Sequence, residues 1–295
     1  MSSRDLVDIF KEKEDVFDLE TIMYVAFMEY KNRKRSREIY NIYDFIPQNL
    51  IKLYYSRDTN HSDFSSIVSN FKAKYLDQES KLEGAHTAQE IAGLSAVYDY
   101  IRSDDWKKCP NIYIIYELNL KLFSKTPHPE AGGMIRTSNC YLKNSNLSTC
   151  PYDQIDKAIA SLYLEFDELL KRGIEIGNEV SLSNEDRLIE YINDCLKLKC
   201  KLIQIHPFQD GNGRTMRALV NLLFKLANLP PIYVEVTEKS EYLDSLKKVD
   251  NENDYRYINK FYYYKICDSI LELDVNKRIK KIEKAYKGKS KSLKK

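Results

Sequence analysis

The chain has 295 residues, a net charge of +2 and a composition of 43% hydrophobic, 31% charged and 12% aromatic residues, which excludes wholesale disorder and fibrous low-complexity sequences. With only 9 Gly and 8 Pro, an all-β fold rich in tight turns is also disfavoured. No run of about 18 uncharged apolar residues occurs and the N-terminus is charged, so the sequence predicts neither a membrane span nor a secretory signal and favours a cytoplasmic protein.

The first part of the chain, residues 1–77, mixes basic and aromatic helical pieces and carries none of the chemical signals found further on. A polar break at 56–63 interrupts it. We predict an N-terminal accessory helical region for this segment.

Residues 78–275 are dominated by apolar residues at three- and four-residue intervals, as in Ile91, Leu94 and Val97, which predicts amphipathic helices. Helix starts are marked as well: Asn111 precedes a long apolar stretch, and its side chain can accept a hydrogen bond from the free amide groups of a first turn. The sequence therefore predicts an all-α domain over this range.

One insert breaks the helical pattern. Residues 131–142 read AGGMIRTSNCYL, in which Gly132 and Gly133 permit a tight turn and a short alternating segment follows. We predict a short β-hairpin that forms a flap on the helical body.

The chemical signals concentrate in residues 206–217, HPFQDGNGRTMR, between two strongly periodic segments. Pro207 disfavours a helical conformation at the residue before it, so the first helix is predicted to end near Ile205. Gly211 and Gly213 let the backbone turn, and consecutive amide groups at the start of the next helix form a concavity that binds anions. The segment is therefore predicted to be a helix-loop-helix that holds phosphate.

The side chains of this segment suit phosphate chemistry. Arg214 and Arg217 lie three residues apart, on one helical face, and each can bind phosphate through two N–H groups. Asp210 offers the hard oxygen ligand that Mg²⁺ prefers beside phosphates, and His206 can act as a neutral base at physiological pH. Each feature alone has a common structural explanation, such as a turn, a surface ion pair or a hydrogen-bonded histidine. Their combination within one short segment indicates a site.

The end of the chain, residues 276–295, forms a basic tail. From 277 onward, ten Lys or Arg stand against the single acid Glu283, a local net charge of +9 that leaves −7 on the rest of the chain. A solvated helix end is the simpler interpretation of this tail, and contact with nucleic acid or another anionic surface is the alternative.

Residues 206–217 resemble the signature of the Fic family, HxFx(D/E)GNGRxxR, at all of its specified positions. The resemblance extends from about residue 78 to residue 273, and 132–142 is similar to the family's flap. It implies a Fic-type helical bundle with an inhibitory helix in front, over 78–275. The activity that it implies is transfer of AMP from Mg-ATP to a hydroxyl side chain of a target protein, with release of pyrophosphate.

The resemblance also implies roles for individual residues. His206 would accept the proton of the attacking Ser, Thr or Tyr hydroxyl, and Asp210 would hold the Mg²⁺ between the α- and β-phosphates. Phe208 would anchor the loop on the core. The remaining ATP-binding positions belong to the phosphate loop and to a pocket for adenine and ribose: Gly211, Asn212, Gly213, Arg214, Arg217, Tyr242, Leu243 and Asp250.

The flap is implied to bind the target. An extended stretch of the target would pair with it by strand addition, which fixes the acceptor hydroxyl through main-chain hydrogen bonds. The residues concerned are Ile135, Arg136, Thr137, Ser138, Asn139, Cys140, Tyr141 and Leu142.

A second resemblance concerns control. Fic proteins that restrain themselves carry a helix of pattern (S/T)xxxE(G/N), whose Glu pairs with the last Arg of the motif. Glu83 and Gly84 match the end of this pattern about 120 residues before the motif, and Glu79 stands where the family has Ser or Thr. The resemblance implies that Glu83 pairs with Arg217 and blocks docking of the γ-phosphate.

Several alternatives stay open at this point. The enzyme can mainly remove AMP, perform both reactions, or use another nucleotide as donor. In a different class, the chain is a module that binds nucleic acid or a protein partner and carries a vestigial loop, although an intact His206 and Asp210 favour an enzyme. Phosphorylation is not expected, because the family's kinase branch has a changed loop in place of GNGR.

The expected partners are ATP, an unidentified target protein and the chain itself through automodification. Membrane and nucleic acid are not expected partners, and a homodimer is left open.

Overall fold

The computed structural model describes residues 59–85, 87–141, 149–179 and 185–274, together with the single residues 51, 54, 55, 57 and 284. These residues divide into two compact units. One consists of the described residues of Ala73–Tyr262, and the other of those up to Lys72 and from Tyr263 onward. The candidate site lies wholly within the first unit.

Helices make up the regular secondary structure of the described residues, so the predicted all-α fold is confirmed. Short 3₁₀ turns connect several of them. In chain order the helices are α1 (Phe64–Glu83), α2 (Ala88–Arg102), α3 (Ile114–Phe123), α4 (Ile155–Ala160), α5 (Tyr163–Asn178), α6 (Glu185–Ile205), α7 (Asn212–Leu226), α8 (Lys239–Glu252) and α9 (Arg256–Glu272).

Helix α7 lies at the centre of the unit Ala73–Tyr262 and contacts α2, α3, α5 and α6. Its residues are buried without a break from Thr215 to Phe224, and seven of these ten side chains are apolar. A helix enclosed on all sides is held firmly by its neighbours. The residues at its N-terminus are therefore fixed in space by the core of the unit.

Side chains mark the starts of two helices. The Asn111 side chain accepts the Tyr113 N–H at 2.9 Å in the turn before α3, and α3 itself begins at Ile114, close to the predicted start, without a side-chain cap. Helix α2 begins with a capping box, in which Thr87 Oγ1 accepts the Glu90 N–H at 3.2 Å and the Glu90 carboxylate accepts the Thr87 N–H at 3.0 Å.

The insert predicted to be a hairpin flap begins with the 3₁₀ turn Pro129–Ala131. Gly133 then has a φ of 73°, as the predicted tight turn requires. Ile135 forms an isolated antiparallel bridge with Phe208 in the loop between α6 and α7. The described part of the flap is therefore joined to that loop.

The two-stranded hairpin itself is not shown by the described residues of the flap. The Arg136 N–H donates to the Pro207 carbonyl at 3.0 Å, so this extended segment uses its backbone groups on the loop instead of on a second flap strand. Leu142, the last predicted flap residue, lies outside the described residues.

The predicted domain boundary at residue 77 falls inside α1, and the boundaries 1–77, 78–275 and 276–295 stay predictions. Residues 1–50 and, apart from residue 284, the basic tail lie outside the described residues. Within the described part of the chain, no helix combines the length and the apolar character needed to cross a membrane.

Candidate active site

The loop between α6 and α7 starts with an unusual backbone conformation. Helix α6 ends at Ile205 and α7 begins at Asn212, as the sequence predicts. His206 has a φ of 52°, a left-handed conformation that residues other than glycine adopt rarely, and its N–H donates to the Leu202 carbonyl at 3.0 Å. A histidine therefore occupies the position after the helix where glycine is the usual residue.

Phe208 and Asn212 fix the shape of the loop. Asn212 Oδ1 accepts the Phe208 N–H at 2.9 Å, and Asn212 Nδ2 donates to the Phe208 carbonyl at 2.8 Å. Phe208 is fully buried and meets the Tyr116 ring edge-on, with ring centroids 5.5 Å apart. The Asn212 side chain is thus committed to the loop, which leaves its backbone N–H for the predicted anion site.

Asn119 of α3 is a site residue that the sequence analysis missed. It is fully buried, its Nδ2 donates to the Asp210 carbonyl at 3.2 Å and to Thr215 Oγ1 at 2.9 Å, and its Oδ1 accepts the Gly133 N–H at 2.8 Å. One side chain therefore joins the loop, the first turn of α7 and the base of the flap. The sequence does contain a signal for this role, since Asn119 is an amide residue in a largely apolar helix. A polar group buried in such a helix needs hydrogen-bond partners from other segments.

The N-terminus of α7 has the features of the predicted anion site. Gly211 precedes the helix with a φ of 78°, no side chain caps it, and its first turn holds no acidic residue. The first amide groups of a helix lack partners within it and carry partial positive charge. A Cβ at Gly211 would stand 2.8 Å from Leu122 Cδ2 and 3.1 Å from Asn119 Nδ2, so both φ and space require glycine. This terminus can bind phosphate through its backbone.

The two arginines of the motif have different partners. One NH2 group of Arg214 lies 3.3 Å from Asp210 Oδ2, and the buried Arg214 Nε has no hydrogen-bond partner among the described residues. Arg217, in contrast, is 4% exposed and is held from two sides by carboxylates. Arg214 is therefore the less constrained cation of the pair.

Two carboxylates of α1 bind Arg217. Its NH2 group donates to Glu83 Oε1 at 2.7 Å, so the contact expected from the sequence is present. The same group lies 2.8 Å from Glu79 Oε2, and Arg217 Nε donates to both oxygens of Glu79, at 3.1 and 2.8 Å. The four-residue spacing puts both acids on one face of α1. Glu79, which departs from the inhibitory pattern, is therefore a second partner of the arginine.

The two acids differ in environment. Glu79 is 1% exposed, and burial raises its pKa in spite of the nearby Arg217 guanidinium. The Glu83 side chain is 34% exposed, and the charge of Arg217 lowers its pKa. Glu83 is therefore the ionised and partly accessible partner, whereas Glu79 is the enclosed one.

Gly213 makes room for Glu83 beside the helix terminus. A Cβ at Gly213 would stand 2.7 Å from Glu83 Oε1 and 3.1 Å from an Arg217 NH1 atom. The Glu83 carboxylate therefore occupies space directly against the amide groups that suit a phosphate.

The environment of His206 favours its neutral form. Burial and the positive charge of Arg136 lower its pKa, while the Ile203 carbonyl and Asp210 oppose the shift. Its buried Nδ1 has no hydrogen-bond partner of normal geometry among the described residues. The imidazole is therefore neutral at physiological pH and can accept a proton.

Asp210 lies at the open side of the loop, with 68% of its side chain exposed. Its Oδ1 accepts the Gly211 N–H at 2.5 Å. No group of three or more His, Cys, Asp or Glu side chains that could hold a metal occurs in the described part of the chain. The exposed Asp210 carboxylate beside the helix terminus fits the usual mode of Mg²⁺ binding, in which one protein carboxylate is a ligand and phosphate and water complete the shell.

The residues predicted to line an adenine and ribose pocket lie in different environments. Tyr242 is 3% exposed, with Lys199 Nζ 4.7 Å from its ring centroid, whereas Leu243 is 40% exposed. Asp250 is half-buried and accepts a hydrogen bond from Gln204 Nε2 at 3.1 Å. Tyr242 is thus a core residue in this structure, and contact of these three residues with a nucleotide stays a prediction.

The flap residues predicted to bind a target also separate into two groups. Thr137, Ser138 and Asn139 are exposed, and Tyr141 is 80% exposed. Arg136 is 3% exposed, so its guanidinium is not accessible to a target. The remaining described members, Ile135 and Cys140, are half-buried.

Comparison with known proteins agrees with this geometry. Residues 110–224, which hold α3, the flap, the loop and most of α7, match the family model described as the Fic/DOC family. This segment is therefore similar to a Fic/DOC domain. Two solved structures show the same fold at 18% identity. Fic-1 (residues 134–508) from C. elegans has a TM-score of 0.57, with 92% of this chain and 80% of that one covered. A Fic domain containing signaling protein from Bacteroides thetaiotaomicron has a TM-score of 0.59, with 78% of this chain and 95% of that one covered.

Two curated proteins that are similar to this chain are named protein adenylyltransferase Fic. The protein from Nematostella vectensis is 26% identical over 174 residues, which are 58% of this chain and 36% of the relative. The protein from Drosophila mojavensis is 31% identical over 176 residues, which are 58% of this chain and 31% of the relative. The chain thus spans about a third of the length of the curated relatives that it matches.

Proposed function

We propose that this chain is a protein adenylyltransferase, which transfers AMP from Mg-ATP to a Ser, Thr or Tyr hydroxyl of a target protein, and that Glu83 holds it in an inhibited state. The observation that carries the proposal is the contact between Glu83 and Arg217 beside a helix N-terminus suited to phosphate. Such a contact is expected where a carboxylate and a phosphate compete for one guanidinium. The names of the relatives support the reaction.

In the proposed reaction, the neutral imidazole of His206 accepts the proton of the target hydroxyl while the hydroxyl oxygen attacks the α-phosphorus. The bond between the α-phosphorus and the oxygen that leads to the β-phosphate breaks, and pyrophosphate leaves with the electron pair of that bond. In-line attack requires the β- and γ-phosphates to lie on the side of the α-phosphorus away from the hydroxyl.

The phosphates would bind at the start of α7. The backbone N–H groups of Gly211, Asn212 and Gly213 and the guanidinium of Arg214 supply the donors. Asp210 would hold Mg²⁺ together with the phosphates, and the bound ion would neutralise their negative charge. Tyr242, Leu243 and Asp250 are proposed to lie beside the adenine and ribose.

The exposed part of the flap, Thr137 to Asn139 with Tyr141, is proposed to bind the target. Its proximity to His206 follows from the bridge between Ile135 and Phe208, two residues after the histidine. A target segment aligned along the flap would therefore bring its hydroxyl close to the imidazole.

Inhibition is proposed to act through Arg217. Glu83 occupies an NH2 group of this arginine at 2.7 Å, so the γ-phosphate of ATP cannot bind the same group until Glu83 withdraws. ATP held without this contact would lie with its α-phosphorus out of line with the target hydroxyl.

Labelled nucleotides test the proposed function. Purified Glu83→Gly protein is used because it lacks the carboxylate proposed to block the γ-phosphate. It is incubated with ATP labelled at either the α- or the γ-phosphate. We expect α-label on protein and no γ-label. Protein-bound γ-label would show phosphorylation and contradict the proposal, and no label from any nucleotide would favour a binding module.

Two arms of the same experiment address the enzymatic alternatives. Labelled CTP, GTP and UTP reveal another donor if one of them labels protein faster than ATP. Protein that already carries α-labelled AMP is then mixed with the wild-type chain. Release of labelled AMP by the wild type would identify a resting enzyme that removes AMP.

A further inference from the structure

Arg136 lies in the base of the flap and makes an unusual set of contacts. Its Nε donates to the His206 carbonyl at 2.8 Å, and one NH1 hydrogen is given to the Ser138 carbonyl at 2.7 Å. Its NH2 group donates to the carbonyls of Cys150 and, at 3.2 Å, Ile205. Each of these partners is a backbone carbonyl and none is a carboxylate. The buried guanidinium therefore connects backbone segments instead of forming an ion pair.

Two of these carbonyls belong to the end of α6. The last four carbonyls of a helix have no partner within it, and the C-terminus carries partial negative charge. A cation that binds the carbonyls of Ile205 and His206 both supplies hydrogen-bond donors to these carbonyls and balances the partial negative charge of the helix end. Arg136 thus completes the helix end from which the proposed base extends.

His206 needs such support because its backbone is held in a left-handed conformation, with a φ of 52°. A residue with a side chain is strained there and stays only where its surroundings fix it. A catalytic histidine is commonly oriented by a group bonded to its second ring nitrogen, whereas the buried Nδ1 of His206 has no partner of normal geometry among the described residues. The Ile203 carbonyl, which acts on the pKa of this ring, also belongs to the last turn of α6, so the direction of the imidazole depends on the backbone at the end of that helix.

The phosphate-binding part of the loop has separate supports. Asn212 closes its hydrogen-bonded ring with the backbone of Phe208, and Asn119 binds the Asp210 carbonyl and Thr215. None of these contacts involves Arg136. Changing Arg136 is therefore expected to affect the histidine more than the phosphate site.

We propose that Arg136 is a positioning residue for His206: its bonds to the carbonyls of Ile205 and His206, shared with the flap, fix the backbone from which the general base reaches the target hydroxyl. This role rests on the proposed transfer of AMP. Contact of the flap's main chain with a target, at Arg136 as at its neighbours, stays a prediction, and the role proposed here belongs to the buried side chain.

The test compares Arg136→Lys and Arg136→Gln in the Glu83→Gly protein. Neither replacement can donate to carbonyls on several sides as the guanidinium does. The matched control is Arg172→Lys, since Arg172 pairs with Asp194 at 2.7 Å on α5 and α6, away from the loop. The single-turnover rate of transfer from α-labelled ATP is measured together with the Kd for Mg-ATP by calorimetry.

We expect both Arg136 variants to transfer AMP about 10- to 100-fold more slowly, since a displacement of the base by about 1 Å has an effect of this size. Their Kd for Mg-ATP should stay within about twofold of the parent value. The Arg172 control should change neither quantity. A parental transfer rate in both variants would overturn the role of Arg136, and so would a loss of ATP affinity in parallel with the rate, because Arg136 would then support the loop as a whole.

A readout independent of activity separates this inference from the proposed function. The chain has four histidines, so the imidazole signals of ¹⁵N-labelled protein can be assigned with a His206→Gln reference. We expect the His206 ring signals to shift or broaden in Arg136→Lys and to stay unchanged in the Arg172 control. If the Glu83→Gly parent binds ATP but transfers no AMP, the proposed function fails. Unchanged His206 signals in Arg136→Lys would overturn the positioning role in that case too.

Discussion

Arg217 makes more contacts with Glu79 than with Glu83. Its Nε and NH2 groups both meet the Glu79 carboxylate, whereas Glu83 is bonded to NH2 alone. Glu79 is also almost completely buried, and the Glu83 side chain is about one-third exposed. The two acids of α1 therefore suit different roles: Glu79 is placed to hold the buried guanidinium, and we expect that Glu83 can withdraw while the contacts of Arg217 with Glu79 remain.

The first prediction compares the stability of Glu79→Gln and Glu83→Gln. Removing one partner of a buried ion pair costs about 3–5 kcal/mol, and a partly exposed pair is worth about 1 kcal/mol or less. We expect Glu79→Gln to lower the free energy of unfolding by several times more than Glu83→Gln does. Urea unfolding followed by circular dichroism measures both, and equal losses would contradict the different roles of the two acids.

Glu83→Gly is predicted to raise automodification. Without the Glu83 carboxylate, Arg217 keeps its contacts with Glu79, and the γ-phosphate can take the place of Glu83 on the NH2 group. Couplings between two competing sites are typically 1–3 kcal/mol, so we expect an increase of about 10- to 100-fold in α-label incorporation. Glu83→Gln separates loss of charge from loss of the side chain.

Arg217→Ala is the control for this mechanism, because it removes the γ-phosphate partner along with the partner of Glu83. It should not reproduce the activation seen for Glu83→Gly. Equal labelling by the wild type and Glu83→Gly would remove Glu83 from the inhibitory role.

The loop could be predicted from the sequence because its information is local. The bend at Pro207, the glycine conformations and the two arginines follow from residues within one short segment, and the helix limits at Ile205 and Asn212 agree with that interpretation. The contact of Glu83 with Arg217 was accessible for a different reason, since it came from resemblance to a family and not from local geometry.

Contacts between segments that lie far apart in the sequence could not be predicted from such local patterns. Glu79 lies 138 residues from Arg217, Asn119 lies 91 residues from Asp210, and Arg136 lies 70 residues from His206. Nothing in the local pattern of a polar residue tells which distant backbone it will bind. The flap shows the same limit, because its alternating pattern predicts an extended segment but not that the segment pairs with the loop.

His206→Ala is predicted to lower transfer by about 10²–10⁴-fold, the usual effect of removing a general base. The Kd for Mg-ATP should change little, because the imidazole acts on the incoming hydroxyl and not on the phosphates. His128→Ala is a matched control, since the His128 side chain is exposed and its ring pairs with Glu130 beside the 3₁₀ turn Pro129–Ala131. Transfer at the parental rate in His206→Ala would exclude the histidine as base.

The pH dependence of inhibition follows from the two pKa shifts. Arg217 lowers the pKa of Glu83 from its usual 4.5, so this carboxylate stays ionised above that value and its contact weakens only as the pH falls through the lowered pKa. Burial lowers the pKa of His206 from 6.5, so the base stays neutral above that value. We expect the ratio of labelling by Glu83→Gly to labelling by the wild type to stay constant between about pH 6.5 and pH 8. A ratio that falls within this range would show that another titrating group releases Glu83.

Asp210→Ala is predicted to weaken nucleotide binding only in the presence of Mg²⁺. Asp210 is the acidic residue of the segment 206–217, and its loss would remove the proposed protein ligand of the metal, so we expect Kd to rise roughly 10- to 100-fold, or about 1.4–2.8 kcal/mol. Without Mg²⁺ the same change should have a small or opposite effect on ATP affinity, because the carboxylate then only repels phosphate and accepts the Gly211 N–H.

Calorimetry of ATP binding to Glu83→Gly and to Glu83→Gly with Asp210→Ala, each with Mg²⁺ and with EDTA, separates the metal-dependent from the metal-independent effect of Asp210. Asp194→Ala serves as control, since Asp194 is paired with Arg172 outside the loop. An equal loss of affinity with and without Mg²⁺ would mean that Asp210 shapes the loop and does not hold the metal.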